Sequence, residues 1–83
     1  MDNDKPDQEI TIRDIKTPAS IHFQDSEKEI GKLDWGDGAF KFEGSAALVK
    51  GTDVDGNEIF DLIEGMKPTQ LKFKTVKSIT VKP

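Results

Sequence analysis

The 83-residue chain has no cysteine. Disulfide bridges and thiolate metal clusters are therefore both excluded, and with them the small secreted scaffold held by bridges, so a reducing compartment fits best. It has one histidine, His22, set between Ile21 and Phe23 in a stretch whose alternation sends it to the opposite face from them. No Gly-x-Ser-x-Gly elbow surrounds Ser20, Ser26, Ser45 or Ser78, which leaves no recognisable nucleophile relay. No apolar run approaches the roughly 20 residues that span a bilayer. Met1 to Glu9 carries acids where a signal peptide needs bases, so residues 1–9 are read as a disordered acidic tail and the address as cytoplasmic, with no membrane partner. Residues 10–83 then form a single domain, near the small end of what one hydrophobic core can hold.

Charge is in mild acidic excess, sixteen acids against twelve bases for a net of -4. The distribution says more than the total. Residues 25–64 hold eleven acids and four lysines, whereas residues 67–83 hold five lysines and no acid. Opposite charges on neighbouring strands would help set register by a few tenths of a kcal/mol per pair, which accounts for the segregation without an external ligand.

Eight Ile, four Leu, four Val, five Phe and one Trp supply the material for one core. Its centre is the stretch 31–44. Leu33 and Trp35 share one parity, Phe40 and Phe42 share one after them, and Gly36-Asp37-Gly38 lies between, where a hairpin needs positive φ. Ile10-Thr11-Ile12-Arg13 and Ile21-His22-Phe23-Gln24 alternate as short strands, with a break at Thr17-Pro18 and a polar turn at Ser26-Glu27-Lys28-Glu29. Leu71, Phe73, Thr75, Lys77, Ile79 and Val81 share a parity over 70–82, a long strand or two strands bent near 75–78.

The segment 54–65 carries helix signals. Asp55 can cap, Glu58 follows at the capping-box spacing, Val54 and Ile59 make a hydrophobic staple, and Gly65 with Pro68 supplies the stop. At about 100° per residue, Ile59, Phe60, Leu62, Ile63 and Met66 fall on one face and Glu58, Asp61 and Glu64 on the other. A rival pair of strands, 47–50 and 58–63 joined by a loop, is disfavoured because Ile59-Phe60-Asp61-Leu62-Ile63 does not alternate in hydrophobicity. Residues 45–50 stay open between helix and strand. The expected fold is α+β: a small, mostly antiparallel sheet of four to six strands with one amphipathic helix at about 56–64 packed on one face. The core expected from it is Leu33, Trp35, Phe40, Phe42, Ile59, Phe60 and Ile63.

Three chemical motifs fail on their own terms. With Gly56 at the glycine of an EF-hand loop, Gly51 falls where the first carboxylate belongs and Leu62 where the bidentate glutamate belongs, so no metal is expected. The glycine spacing over 51–56 suits a phosphate loop, but Asn57-Glu58 replaces its Lys-Ser/Thr pair. Gly36-Asp37-Gly38 has Lys41 in place of the third dinucleotide glycine and leads into a strand. No cofactor is implied. Lys72, Lys74 and Lys82 share a parity and are the candidate phosphate-tracking row for nucleic acid, although an acidic domain would oppose such a ligand with its own field.

The pattern Gly31-x-Leu33-x-Trp35-x-Asp37-Gly38-x-x-x-Phe42-Glu43-Gly44 resembles a hairpin that recurs in short, mostly uncharacterised proteins encoded by bacteriophages and prophages. The resemblance covers residues 31–44. Beyond Gly44 the sequence departs from the pattern, because residues 51–56 intervene before Ile59-Phe60. What the resemblance implies is a non-enzymatic small protein that binds and inhibits or occludes a host protein, such as a host-defence or nucleic-acid enzyme. The acidic residues Asp53, Asp55, Glu58, Asp61 and Glu64 are the candidate partner-binding face. The alternative is an assembly role in which an exposed edge strand, 10–16 or 70–82, pairs with a second copy or another chain.

Overall fold

The computed structural model describes residues 8–24, 30–36, 38–65 and 67–82, with backbone alone at 8–12 and 30. Among the described residues seven strands account for the regular structure: β1 (Gln8–Ala19), β2 (His22–Gln24), β3 (Ile30–Asp34), β4 (Ala39–Glu43), β5 (Ala46–Thr52), β6 (Glu58–Glu64) and β7 (Phe73–Lys82). They form a four-stranded sheet in the order β1-β7-β5-β6 and a three-stranded sheet in the order β2-β3-β4, with every pairing antiparallel. The two sheets bury one shared core. Leu33, Trp35, Phe42 and Phe23 come from the smaller sheet and its hairpin, and Ile15, Ala47, Val49, Ile63, Phe73, Val76, Ile79 and Val81 from the larger.

The stretch 31–44 is the hairpin β3–β4, in which Leu33 opposes Phe40 and Gly31 opposes Phe42. The Trp35 N–H donates to the Gly38 carbonyl at 3.1 Å, and Gly36 follows Trp35 at φ 90°. Asp37 lies outside the described residues. Gly31 has no side chain because the Phe42 ring occupies its space: a Cβ there would stand 2.6 Å from Phe42 Cζ. Phe42 in turn contacts Phe23 at 5.4 Å and stacks on Phe40 at 5.8 Å between ring centroids. Leu33, Trp35 and Phe42 are buried, and Phe40 packs half-buried against them. The Arg13 guanidinium covers the Trp35 ring, 5.7 Å from its centroid.

The expected helix at 56–64 is absent, and the fold is all-β in the described residues rather than α+β. Residues 58–64 are β6, paired with β5 over seven consecutive positions from Thr52↔Glu58 to Ala46↔Glu64, which also makes residues 46–52 a strand. The physical reason is local and long-range together. Asp53, not Asp55, organises the turn: its Oδ1 accepts the N–H groups of Asp55 and Asn57, both at 2.9 Å, and Gly56 takes φ 85°. That is an Asx-type loop closing a hairpin, a competing use of the residues that cap helices. Seven ladder positions then outweigh weak helix propensity over so short a segment. In the strand, Ile63 is buried and Ile59 packs half-buried against the core, while Phe60, expected in the core, is 68% exposed.

The shared parity expected over 70–82 breaks. Along β7 the buried residues are Phe73, Val76, Ile79 and Val81, so the inward phase shifts twice. Opposite β5 the shift is a β-bulge: Val76 faces Gly51, Ser78 faces Lys50, and Lys77 has no opposite number. Gly51 fits this bulge because a Cβ would collide with the Thr75 carbonyl oxygen and lie 3.0 Å from Val76 Cα. The connection from β6 to β7 is fastened by Thr69, whose N–H donates to the Ile21 carbonyl at 2.9 Å and whose hydroxyl oxygen accepts the Ile21 N–H at 3.4 Å. The acidic tail expected over 1–9 gives way to strand at Gln8; residues 1–7, the turn expected at 26–29 and Met66 lie outside the described residues.

Two stability measurements check this account. Trp35→Ala removes the largest side chain of the shared core and should cost about 3 to 5 kcal/mol in denaturant unfolding. Gly51→Ala, which adds a single methyl against backbone that cannot rotate away, should cost about 1 to 3 kcal/mol; a neutral result would show that the bulge tolerates a side chain.

Candidate functional site

In β6 the side chains alternate cleanly. Ile59, Asp61 and Ile63 turn toward the second sheet, and Glu58, Phe60, Leu62 and Glu64 turn outward, all four exposed. Phe60 is 68% and Leu62 44% exposed, and with Val54 at the hairpin tip they are the large apolar side chains left in solvent among the described residues. Leu62 sits opposite half-buried Leu48 on β5, and Phe60 opposite exposed Lys50. Beside them lies an open depression of about 640 Å³, lined by Leu48, Lys50, Gly51, Glu58, Phe60 and Lys77. Lys77, the bulged residue of β7, reaches over β5 to place its Nζ 3.3 Å from Glu58 Oε2. Both partners are well exposed, so the pair contributes at most about 1 kcal/mol and serves chiefly to rim the depression with charge.

The five acids of the expected binding face do not share one face. Glu58 and Glu64 flank Phe60 and Leu62 on the outer surface, while Asp61 has inward parity and its Oδ1 accepts the N–H of Leu62 at 2.9 Å. Asp53 is committed to the loop through Asp55, Asn57 and the Asn57 side-chain amide, and Asp55 is exposed at the hairpin tip. The arrangement joins an apolar pair to an acidic frame, which the helical reading separated onto opposite faces. Phe60 and Leu62 were missed as surface residues because apolar side chains are assigned inward by default; the signal available was the even spacing of Glu58, Phe60, Leu62 and Glu64.

Lys72, Lys74 and Lys82 are all exposed; Lys72 precedes β7, and Lys74 and Lys82 stand at opposite ends of that strand, roughly 25 Å apart at the usual strand rise. The terminal segment 70–82 offers no open edge, since β7 lies between β1 and β5; the segment 10–16 lies in β1, an edge of the sheet. His22, partly buried, stands opposite Asp34 in the β2–β3 ladder. Among the described residues no group of three or more His, Cys, Asp or Glu side chains is placed to hold a metal, and no helix is long and apolar enough to cross a membrane.

The Asn57 N–H donated to Asp53 is the leading reason that its carboxyl is held below the ordinary aspartate range, with the Asp55 N–H and the Asn57 side chain adding to it, against a smaller opposing effect of burial. A depressed carboxyl pKa means the loop contact is fully present above the unfolded-state value and is lost as pH falls through the folded one. An NMR titration should therefore show Asp53 ionising below the ordinary aspartate range, with the Asp55 and Asn57 amides losing exchange protection in that same acidic window. Protection persisting after Asp53 is protonated would assign the loop's order to the backbone alone.

No protein-family model, no curated protein and no solved structure matches this chain, and the resemblance of its hairpin gains no relative from these comparisons.

Proposed function

We propose that this protein is a non-catalytic binding module that docks a partner protein through the outer face of β6 and occludes the surface it covers. The observation that carries this reading is the exposure of Phe60 and Leu62, side by side on one strand, in a domain with only a modest supply of large apolar residues. Burying a side chain of this kind is worth about 1.5 to 3 kcal/mol, so leaving two outside sacrifices core energy unless a partner covers them. Aromatic anchors within a charged rim are also the usual anatomy of a protein contact. Glu58 and Glu64 at the two ends of the strand, with Lys50 and Lys77 beside it, would orient that partner and raise its rate of encounter.

The double variant Phe60→Ser with Leu62→Ser checks it. Both residues lie outside the core, so each change should alter unfolding free energy by no more than about 0.5 kcal/mol. Affinity capture should lose the partner that the wild-type protein retains. A folded double variant that keeps its partner at the wild-type level would reject this face.

A further inference from the structure

We propose that the open edge of β6 takes up an extended peptide segment bearing lysine or arginine, as an added strand, and that Asp61 selects it. This rests on the docking face above and specifies how that face is used. β6 is hydrogen-bonded to β5 on one side, and no described strand pairs with the other. The Leu62 N–H, taken up by the Asp61 carboxylate, marks the direction of the backbone. In an antiparallel ladder alternate residues turn their N–H and C=O groups to the partner. Leu62, and with it Glu58, Phe60 and Glu64, therefore turn theirs to the open side. The residues that offer backbone pairing are the same ones whose side chains form the outer face.

The two edges of this sheet are protected differently. β1, at the far side, carries Pro18, exposed Arg13, Asp14 and Lys16, and a register break between Asp14 and Ala19, all devices that discourage an added strand. β6 has no proline, no lysine and an unbroken register. Its devices are acids: Asp61, folded onto its own strand, and Glu58 and Glu64 at the strand's two ends. A second copy paired antiparallel about Asp61 would set Asp61 against Asp61 and Glu58 against Glu64, and like charges directly opposite one another destabilise a ladder. A segment alternating apolar and basic residues reverses that sign. Its basic side chain draws the Asp61 carboxylate away, and its backbone carbonyl accepts the Leu62 N–H that is released.

The test uses the full-length isotopically labelled protein and two short synthetic peptides, one alternating valine with lysine and the other valine with glutamate. The lysine peptide should slow hydrogen exchange at the Phe60 and Leu62 amides by about tenfold or more, and the glutamate peptide should leave them unchanged. Asp61→Asn keeps an oxygen that can accept the Leu62 N–H, so the fold persists, while the affinity for the lysine peptide should fall roughly two- to fivefold. If the lysine peptide shifts the Phe60 and Leu62 side-chain signals without protecting their amides, strand addition is overturned and the docking face stands. Equal binding of both peptides overturns selection by Asp61, and a wild-type protein that sediments as a dimer through β6 assigns the edge to a second copy instead. If neither peptide binds, the inference fails, and the Phe60→Ser/Leu62→Ser capture experiment decides separately whether the docking face fails with it.

Discussion

The larger sheet depends on β5. It is the strand that pairs with β6 on one side and β7 on the other, and its Ala47 and Val49 are fully buried beneath both. Because side-chain direction in a strand has a period of two, a one-residue slip of β6 against β5 would expose Ile63 and bury Phe60, and a slip of β5 against β7 would expose Val49 and bury Lys50. The register is therefore fixed by burial before any charge pair contributes. The bulge at Lys77 follows from the same constraint. β7 must present Val76 and Ile79 to the core although they stand three positions apart, an odd spacing, and one unpaired residue absorbs the mismatch. Gly51 is the position where β5 yields to it.

The small sheet is held to this frame by aromatic packing and by few polar contacts. Phe42 lies over Gly31 and against Phe23 and Phe40, and Trp35 completes the layer beneath Arg13. Thr69 is the buried polar residue among the described residues, and it satisfies itself by bonding both polar groups of Ile21 and the Leu71 carbonyl. A buried donor or acceptor is tolerated when it is paired. Here the pairing also ties the β6–β7 connection to the start of the second sheet.

What the sequence made legible was set by the range of the interaction that decides each element. The β3–β4 hairpin is local: its turn glycines and its matched parities lie within fourteen consecutive residues, 31–44, and they determine the answer alone. The β5–β6 hairpin is just as local, yet its loop residues serve equally as helix caps. The choice between Asp53 closing an Asx turn and Asp55 capping a helix is made by the β5 ladder, whose other side rests on β7 far along the chain. The acids of the candidate site were legible as residues and illegible as a surface. Helical periodicity placed Phe60 and Leu62 opposite Glu58 and Glu64, and strand periodicity places all four together. Hydrophobic periodicity detects a strand by the difference between its faces, and β6 lacks that difference because its outer face is itself partly apolar.

A strand that is exposed, apolar and unpaired on one side is ordinarily an aggregation hazard, and proteins spend stability to blunt it. On β6 the blunting is entirely acidic. Lysine at these positions would also keep two copies apart, as would proline by removing a donor, but each would exclude a different set of partners. Proline would close the edge to every strand, and lysine would close it to basic ones. In the proposed use of this edge, Glu58, Asp61 and Glu64 would repel a second copy while leaving the backbone available to a segment of opposite charge. Asp61 goes further, since it satisfies the Leu62 N–H, so the edge carries less unmet hydrogen-bonding demand. If the edge is used as proposed, the same three acids would oppose a second copy and favour a basic segment, so both properties would rest on one set of charges.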